Sequence, residues 1–301
     1  MVREQLIGKP SPGVSLAHQG KMWFFEFSHE MRSIQNTLSE VADSIPDSPS
    51  KAERKLYSII QRYPYSFDAY NQLAYIYSYG QQNLKQARDI LEEGLAKFKE
   101  LIPENFVFGR SNLPWAVLEN RPFLRMYKSI GINLKESGKT ETAREVFQNI
   151  VAMNPDDNQG MRELLCSCCF QLGKNESVLD LCRKYKGDGM AAITFGRVLA
   201  LFKVGRVNEA KKALREATRY GANITREIIA DTHRKLKDKF SPYEWGSKRE
   251  AELYWDEFGS YWDAAAVKFV REEAQTNSWM RCILQKEVGS REDEDSSCFE
   301  E

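Results

Sequence analysis

Apolar residues recur along most of the chain at spacings of three and four, the pattern of helices that bury one face. The first such segment follows Ser28, a residue type that favours the start of a helix, and runs to about Asp43. A second begins at the capping-box pattern of Ser50 and Glu53 and ends before Pro64. The pattern therefore predicts a chain built mainly of amphipathic helices.

The clearest periodic unit lies between Tyr127 and Pro155. Its defining positions combine large apolar, small and helix-ending residues: Tyr127, Ile130, Gly131, Leu134, Gly138, Ala143, Phe147 and Pro155. Gly131 and Ala143 are small where two antiparallel helices would touch, and the larger residues fill the space beside that contact. Pro155 ends the second helix because proline has no N–H to continue the hydrogen-bond ladder. The unit is therefore predicted to be a helical hairpin.

This spacing resembles the tetratricopeptide (TPR) repeat, a pair of antiparallel helices with a period of about 34 residues. Similar positions recur in three further units, which contain Tyr70, Cys166 and Val198. The resemblance covers about residues 65–222. It implies stacked hairpins, because a single hairpin cannot bury its apolar face alone.

Three longer phrases resemble an uncharacterised, largely bacterial subset of TPR proteins. They span residues 115–125, residues 154–160 with the sequence Asn-Pro-Asp-Asp-Asn-Gln-Gly, and residues 245–251. The second phrase is also similar to one in suppressor-of-tumorigenicity proteins, whose membrane spans this chain lacks. The resemblance implies a fold and carries no activity with it.

We therefore predict an all-α, TPR-like helix-turn-helix solenoid with N-terminal helices and a C-terminal capping helix. Residues 1–49 are expected to form an arm and a helix, and residues 50–222 the repeat domain, with an insertion near 99–120. Residues 223–285 would form C-terminal helices, among them one long amphipathic helix over 247–275. The acidic, serine-rich residues 286–301 are predicted to be disordered.

Composition narrows the functional classes. The chain is 42% hydrophobic and carries 43 basic against 43 acidic residues, so no global charge favours nucleic acid or a membrane. No run reaches the roughly 18 apolar residues of a membrane-spanning helix. The first thirty residues do not have the pattern of a signal peptide, so a cytoplasmic location is expected.

The chemistry-bearing residues form no catalytic pattern. The chain has no P-loop, no Gly-x-Gly-x-x-Gly, no Gly-x-Ser-x-Gly and no His-Glu-x-x-His motif, so we expect no enzyme, no catalytic residue and no cofactor. Cys166, Cys169 and Cys182 could approach one another in a thiol-based metal or redox sensor. Each also occupies a position that calls for a small apolar residue, and the core interpretation is favoured, with no metal.

The first helices of the hairpins would line a groove for a partner. Counting from the diagnostic residues, that groove is predicted to present Asn71, Tyr75, Tyr79, Arg125, Lys128, Ile132, Phe170, Phe195 and Phe202. Such a surface suits a peptide or an amphipathic helix of another protein. A competing hypothesis is that the predicted 247–275 helix docks on the groove and covers it.

A basic run from Lys203 to Lys239 has eleven basic and five acidic residues, which could serve an RNA binder. Without a nucleic-acid motif, a solvated helix face is the favoured interpretation, and nucleic acid is not the expected partner. The sequence alone thus predicts a non-catalytic protein–protein interaction adaptor or scaffold, with the thiol sensor and the RNA binder as alternatives.

Overall fold

A computed structural model describes residues 13–236 and 242–285. This part of the chain contains fourteen α-helices and one two-stranded hairpin. The chain divides into two compact units, residues 1–168 and 169–301, and the division falls within α7. The predicted all-α class, built of helix-turn-helix pairs, is confirmed. The predicted tail over 286–301 lies outside the described residues.

In the first unit, a β-hairpin precedes the helices. The elements are β1 (Val14–Gln19), β2 (Met22–Phe27), α1 (His29–Ser44), α2 (Pro49–Arg62), α3 (Phe67–Tyr75), a π-helical turn (Ile76–Gly80), α4 (Leu84–Leu101), a 3-10 turn (Leu118–Asn120), α5 (Arg121–Glu136), α6 (Thr140–Met153) and α7 (Met161–Gln171). The predicted start of α1 is confirmed, because the Ser28 side chain accepts a hydrogen bond from the Met31 N–H. The predicted capping box at Ser50 is wrong, since α2 already begins at Pro49.

Part of the segment predicted to be an arm is β-strand. The strands β1 and β2 pair antiparallel from Val14 opposite Phe27 to Gln19 opposite Met22. Gly20, at φ 60°, supplies the left-handed backbone of the two-residue turn between them. Burial alternates along β2, so that Phe25 points into the unit and Glu26 into solvent. The hairpin therefore covers one side of the helices with apolar side chains.

An aromatic cluster forms the core beneath this hairpin. Phe25 contacts Phe67, Phe98 and Phe123 with ring centroids 5.4, 6.0 and 5.9 Å away, and all four rings are buried. Phe98 and Phe123 stack at 3.8 Å. The cluster joins β2 to α3, α4 and α5, and the burial of these four large rings stabilises this part of the unit.

The α5–α6 hairpin packs as its sequence predicts. A Cβ atom added at Gly131 would lie 2.5 Å from a ring carbon of Phe147, so the helices cross where residue 131 has no side chain. The insertion near 99–120 also packs on the unit, and it buries Phe106 and Leu113. Asn120 at its end is fully buried and binds the backbone of β2.

In the second unit, the helices continue as pairs. They are α8 (Asn175–Lys184), α9 (Ala191–Lys203), α10 (Val207–Tyr220), α11 (Ala222–Ile229), α12 (Lys248–Phe258), a 3-10 turn (Gly259–Tyr261), α13 (Ala264–Thr276) and α14 (Ser278–Gln285). The predicted start at Ser247 is confirmed, because its hydroxyl accepts from the Glu250 N–H. The Glu250 carboxylate accepts from the N–H of Gly246 rather than that of Ser247.

The single helix predicted over 247–275 is wrong: it is two helices, α12 and α13. Gly259 opens a 3-10 turn after α12, and Asp263 then caps α13 by accepting from the Ala266 N–H. Apolar periodicity runs across both helices, so the pattern alone does not reveal the break.

No helix among the described residues is both long enough and apolar enough to cross a bilayer.

Candidate functional site

The first unit contains a cleft where the end of α1 meets α3, the π-helical turn and α5. Its volume is about 360 Å³. Its apolar lining comes from α1 and the residues that follow it, and from α3, α4 and α5: Ala42, Ile45, Pro46, Ala74, Leu91 and Ile132. The remaining lining residues are polar or aromatic: Asn71, Gln72, Tyr75, Ser78, Tyr79, Ser129, Asn133 and Glu136.

The π-helical turn shapes one wall of the cleft. After α3 the hydrogen bonding widens, and the Gln81 N–H donates to the Ile76 carbonyl five residues earlier. Tyr75 and Tyr79 stand side by side across this turn, with ring centroids 4.9 Å apart. They are 50% and 48% exposed, although most large apolar side chains of the unit are buried. Single π-helical turns inside α-helices are frequent at functional sites.

Four of the predicted groove residues line this cleft together: Asn71, Tyr75, Tyr79 and Ile132. Arg125 is not among the lining residues. Its guanidinium donates to both carboxylate oxygens of Asp68, at 2.9 and 2.6 Å. Lys128 also lies outside the lining set and is half-buried, and desolvation lowers the pKa of its ammonium group although the Glu163 and Asp157 carboxylates favour its charged form.

The other three predicted groove residues belong to the second unit and lie against its C-terminal helices. Phe170 stacks on Tyr261 at 5.6 Å, Phe195 contacts Tyr254 at 5.8 Å, and Phe202 stacks on Phe269 at 4.8 Å. Within this unit, α12 and α13 therefore pack on the aromatic face, as the self-docking hypothesis expects.

Two amide side chains in the cleft wall have oxygens without a donor among the described residues. Gln72 donates from Nε2 to the Leu38 carbonyl at 3.1 Å, and Asn133 donates from Nδ2 to the Leu84 carbonyl at 2.9 Å. Gln72 Oε1 and Asn133 Oδ1 are buried and accept no hydrogen bond from that part of the chain. The Asn71 oxygen, by contrast, accepts from the Ser129 hydroxyl at 2.6 Å.

Glu136 lies exposed at the rim of the cleft. Its carboxylate accepts a long hydrogen bond from the Tyr79 hydroxyl at 3.5 Å. Desolvation by surrounding protein raises the pKa of this carboxyl group, while Tyr79 and Lys135 act in the opposite direction. No arginine or lysine is among the described residues that line the cleft. The cleft therefore carries a negative charge at its rim.

Sequence reasoning missed the α5 contribution of Ser129, Asn133 and Glu136. These residues share a helix face with Ile132, which the groove prediction named. The helical spacing of three and four could therefore have indicated them. Gln72 carries no such signal, because the side of α3 that it occupies depends on the packing against α1.

The predicted thiol cluster lies in the protein core. Cys166, Cys168, Cys169 and Cys182 are buried, and no disulfide joins the cysteines of the described ranges. Burial raises the pKa of the Cys182 thiol to about 12, and its Sγ donates to the Ile193 carbonyl. A reactive cysteine needs a lowered pKa. Residues 13–236 and 242–285 contain no group of three His, Cys, Asp or Glu residues placed to hold a metal.

Most of the basic run is engaged within the second unit. Ion pairs join four of its cations to acidic partners: Lys203 to Asp263, Lys211 and Arg215 to Glu273, and Arg206 to Glu209. Arg226 donates to the Ile283 and Leu284 carbonyls, and Arg219 lies over the Trp279 ring. Lys237 and Lys239 lie outside the described residues. These contacts leave the run less available to phosphates than its composition indicates.

Comparison with protein families corrects the tetratricopeptide assignment. The model of the Tcf25 family, described as transcriptional repressor TCF25, matches residues 23–300. No tetratricopeptide family matches, so both the TPR assignment and the bacterial TPR subset are wrong. The spacing resembled a TPR repeat because every pair of stacked antiparallel helices needs small residues where the helices cross, as at Gly131, whichever family the chain belongs to. A comparison with curated proteins finds no match. Because the family match spans most of its length, the chain belongs to the Tcf25 family.

Proposed function

We propose that this protein is a non-catalytic component of transcriptional repression that holds a segment of a partner protein in the cleft of its first unit. The observation that carries the proposal is the exposed pair of Tyr75 and Tyr79 beside a cleft of about 360 Å³. Tyrosine is enriched at protein interfaces, where its ring supplies contact area and its hydroxyl a hydrogen bond.

The family supports the biological setting of this proposal. Its description names a transcriptional repressor, and on that ground we infer action in the nucleus rather than in the cytoplasm. A repressor can act through contacts alone, by bringing a partner to a promoter or keeping it away. The proposed action is non-catalytic, in keeping with a cleft whose described lining holds one carboxylate, that of Glu136, and no histidine, cysteine or lysine.

The first test measures repression by the full chain, tethered to a reporter promoter through an unrelated DNA-binding domain. Tyr75→Ala removes one exposed ring from the cleft and should lower repression by more than half, because interface tyrosines often contribute about 2 kcal/mol to binding. The matched control is Tyr220→Ala, since Tyr220 is 85% exposed and lies in the second unit.

The control variant should repress like the wild type, and both variants should keep the wild-type melting temperature. Unchanged repression by Tyr75→Ala at equal protein levels would refute the cleft as the partner site. Equal losses in the two variants would also refute it, because the effect would then not belong to the cleft.

A further inference from the structure

We propose that the cleft of the first unit binds a segment of the partner protein that inserts one large apolar side chain, best an aromatic one, and places a basic residue beside it. This inference rests on the proposed function and specifies the chemistry of the partner. It follows from the side chains that a ligand can reach in the cleft and from the charges around them.

The surface that a ligand can reach in the cleft is largely apolar. Ala42, Ile45 and Ile132 are partly exposed, and Pro46 is exposed. The other two apolar lining residues are buried, so a ligand would contact these four. Apolar surface that is open to water gains free energy when a further apolar group excludes that water. A cleft of about 360 Å³ has room for one large side chain, so the partner should insert a single apolar anchor.

The wall formed by Tyr75 and Tyr79 favours an aromatic anchor over an aliphatic one. The two rings are 50% and 48% exposed and lie 4.9 Å apart, inclined at 39° to each other. Aromatic rings attract one another in offset or edge-to-face arrangements, beyond what the buried area alone contributes. A phenylalanine or tryptophan of the partner can make such contacts with these rings, and leucine cannot.

The charges around the cleft favour a basic residue beside the anchor. Glu136 is the one charged residue among the described residues that line the cleft. The residues next to lining residues in the chain add three acidic and two basic groups: Asp43, Asp47 and Glu92, against Lys128 and Lys135. At physiological salt a charge acts over about 8 Å, so these neighbours contribute to the potential in the cleft. Acidic groups therefore outnumber basic ones by four to two.

Glu136 is the group that the basic residue should contact. Its carboxylate is exposed and accepts only a long hydrogen bond from the Tyr79 hydroxyl, at 3.5 Å. Desolvation raises the pKa of this carboxyl group although Lys135 attracts it, so a further cation would stabilise its charged form. An acidic segment, an anionic lipid surface or a nucleic-acid backbone would be repelled instead. The charges thus select a basic protein segment as the occupant.

The test is a selection of random peptides displayed on phage. The library is depleted on the Ile132→Trp variant, in which a large ring fills the cleft, and then bound to the immobilised wild-type full chain at physiological salt. We expect the retained peptides to share a large apolar residue, most often phenylalanine or tryptophan, with lysine or arginine within a few positions of it. A parallel depletion on Tyr75→Ala, which alters an exposed side chain, should yield the same motif.

Three results of the selection would overturn the proposal. They are a shared acidic motif, a shared motif without an apolar anchor, and the absence of any peptide that prefers the wild type to both variants. The two depletions together keep the test decisive if Ile132→Trp does not fold.

Calorimetry with a selected peptide, made by synthesis, separates the anchor from the charge. Alanine in place of the apolar anchor of the peptide should weaken binding by about tenfold or more. Glu136→Gln in the protein should weaken it by about threefold or more, whereas Glu104→Gln, which removes an exposed charge outside the lining, should leave the affinity unchanged. An alanine peptide that binds as well, or equal affinities of the two protein variants, would contradict the proposal.

The outcomes also distinguish this inference from the proposed function. If Tyr75→Ala relieves repression while the selection yields no such motif, the cleft is a partner site and the assigned chemistry is wrong. If the motif binds as expected while Tyr75→Ala leaves repression intact, the chemistry stands and the role in repression is wrong.

Discussion

Two buried asparagines in the first unit differ in how many of their hydrogen-bonding atoms are used. Asn120 is fully buried, and its amide accepts from the Phe25 N–H and donates to the Trp23 and Pro114 carbonyls. Asn133 is nearly as buried, yet only its nitrogen is used. Asn120 therefore joins the β-hairpin to the insertion with all its bonds made, whereas Asn133 ties α5 to the start of α4 and leaves one buried acceptor unsatisfied, which costs stability.

At the same scale, Glu250 is a carboxyl group whose folded environment opposes its charge. It is buried at the start of α12, and desolvation raises its pKa although the Gly246 N–H donates to it at 2.6 Å. A carboxyl pKa that is higher in the folded state lowers stability above that folded pKa, where the group is ionised in both states. The penalty disappears as the pH falls below the pKa of the unfolded chain.

Glu250→Gln should therefore raise the urea midpoint at pH 8 relative to the wild type, and the difference should shrink towards pH 4. The amide oxygen of glutamine can still accept from Gly246, so the cap is retained. Glu104→Gln serves as the control and should show no such pH-dependent gain. A wild type more stable than Glu250→Gln at pH 8 would contradict this account of its pKa.

Helical hairpins are the elements that sequence patterns predict best here. Ser28 starts α1 and Gly131 meets the facing helix, because capping and close packing depend on residues near in sequence or on side-chain size. The break at Gly259 was missed because apolar spacing continues across it. The β-hairpin was missed because β1 has only two fully buried positions, Val14 and Leu16.

The crossing of α5 and α6 leads to a prediction at this scale. Gly131→Ala places a methyl group 2.5 Å from a Phe147 ring carbon, closer than atoms in contact can lie. The ring must move within a buried core, so we expect a loss of about 1–3 kcal/mol in the free energy of unfolding, measured with urea. Gly80→Ala is the control, because its Cβ would meet no atom within 4 Å. Equal free energies of unfolding for the two variants would contradict the close contact between residue 131 and the Phe147 ring.

For the whole molecule, fold class and family were predictable to different degrees. Periodicity predicts helix pairs because every such pair must bury an apolar face, whichever family it belongs to. That generality explains why the spacing resembles TPR repeats in a chain that the family match over residues 23–300 assigns to the Tcf25 family. Only part of the cleft was predicted. The α3 positions followed from helical counting, whereas the wall formed by the end of α1 depends on packing between helices distant in sequence.

The central claim is that repression depends on an open cleft in the first unit, and filling the cleft tests it most directly. Ile132→Trp adds a large ring to a residue that lines the cleft, and Val107→Trp adds the same ring at a position that is 50% exposed outside it. In the promoter-tethered reporter, measured with the full chain at matched protein level and melting temperature, we expect Ile132→Trp to abolish repression and Val107→Trp to keep it. Full repression by Ile132→Trp would contradict the account.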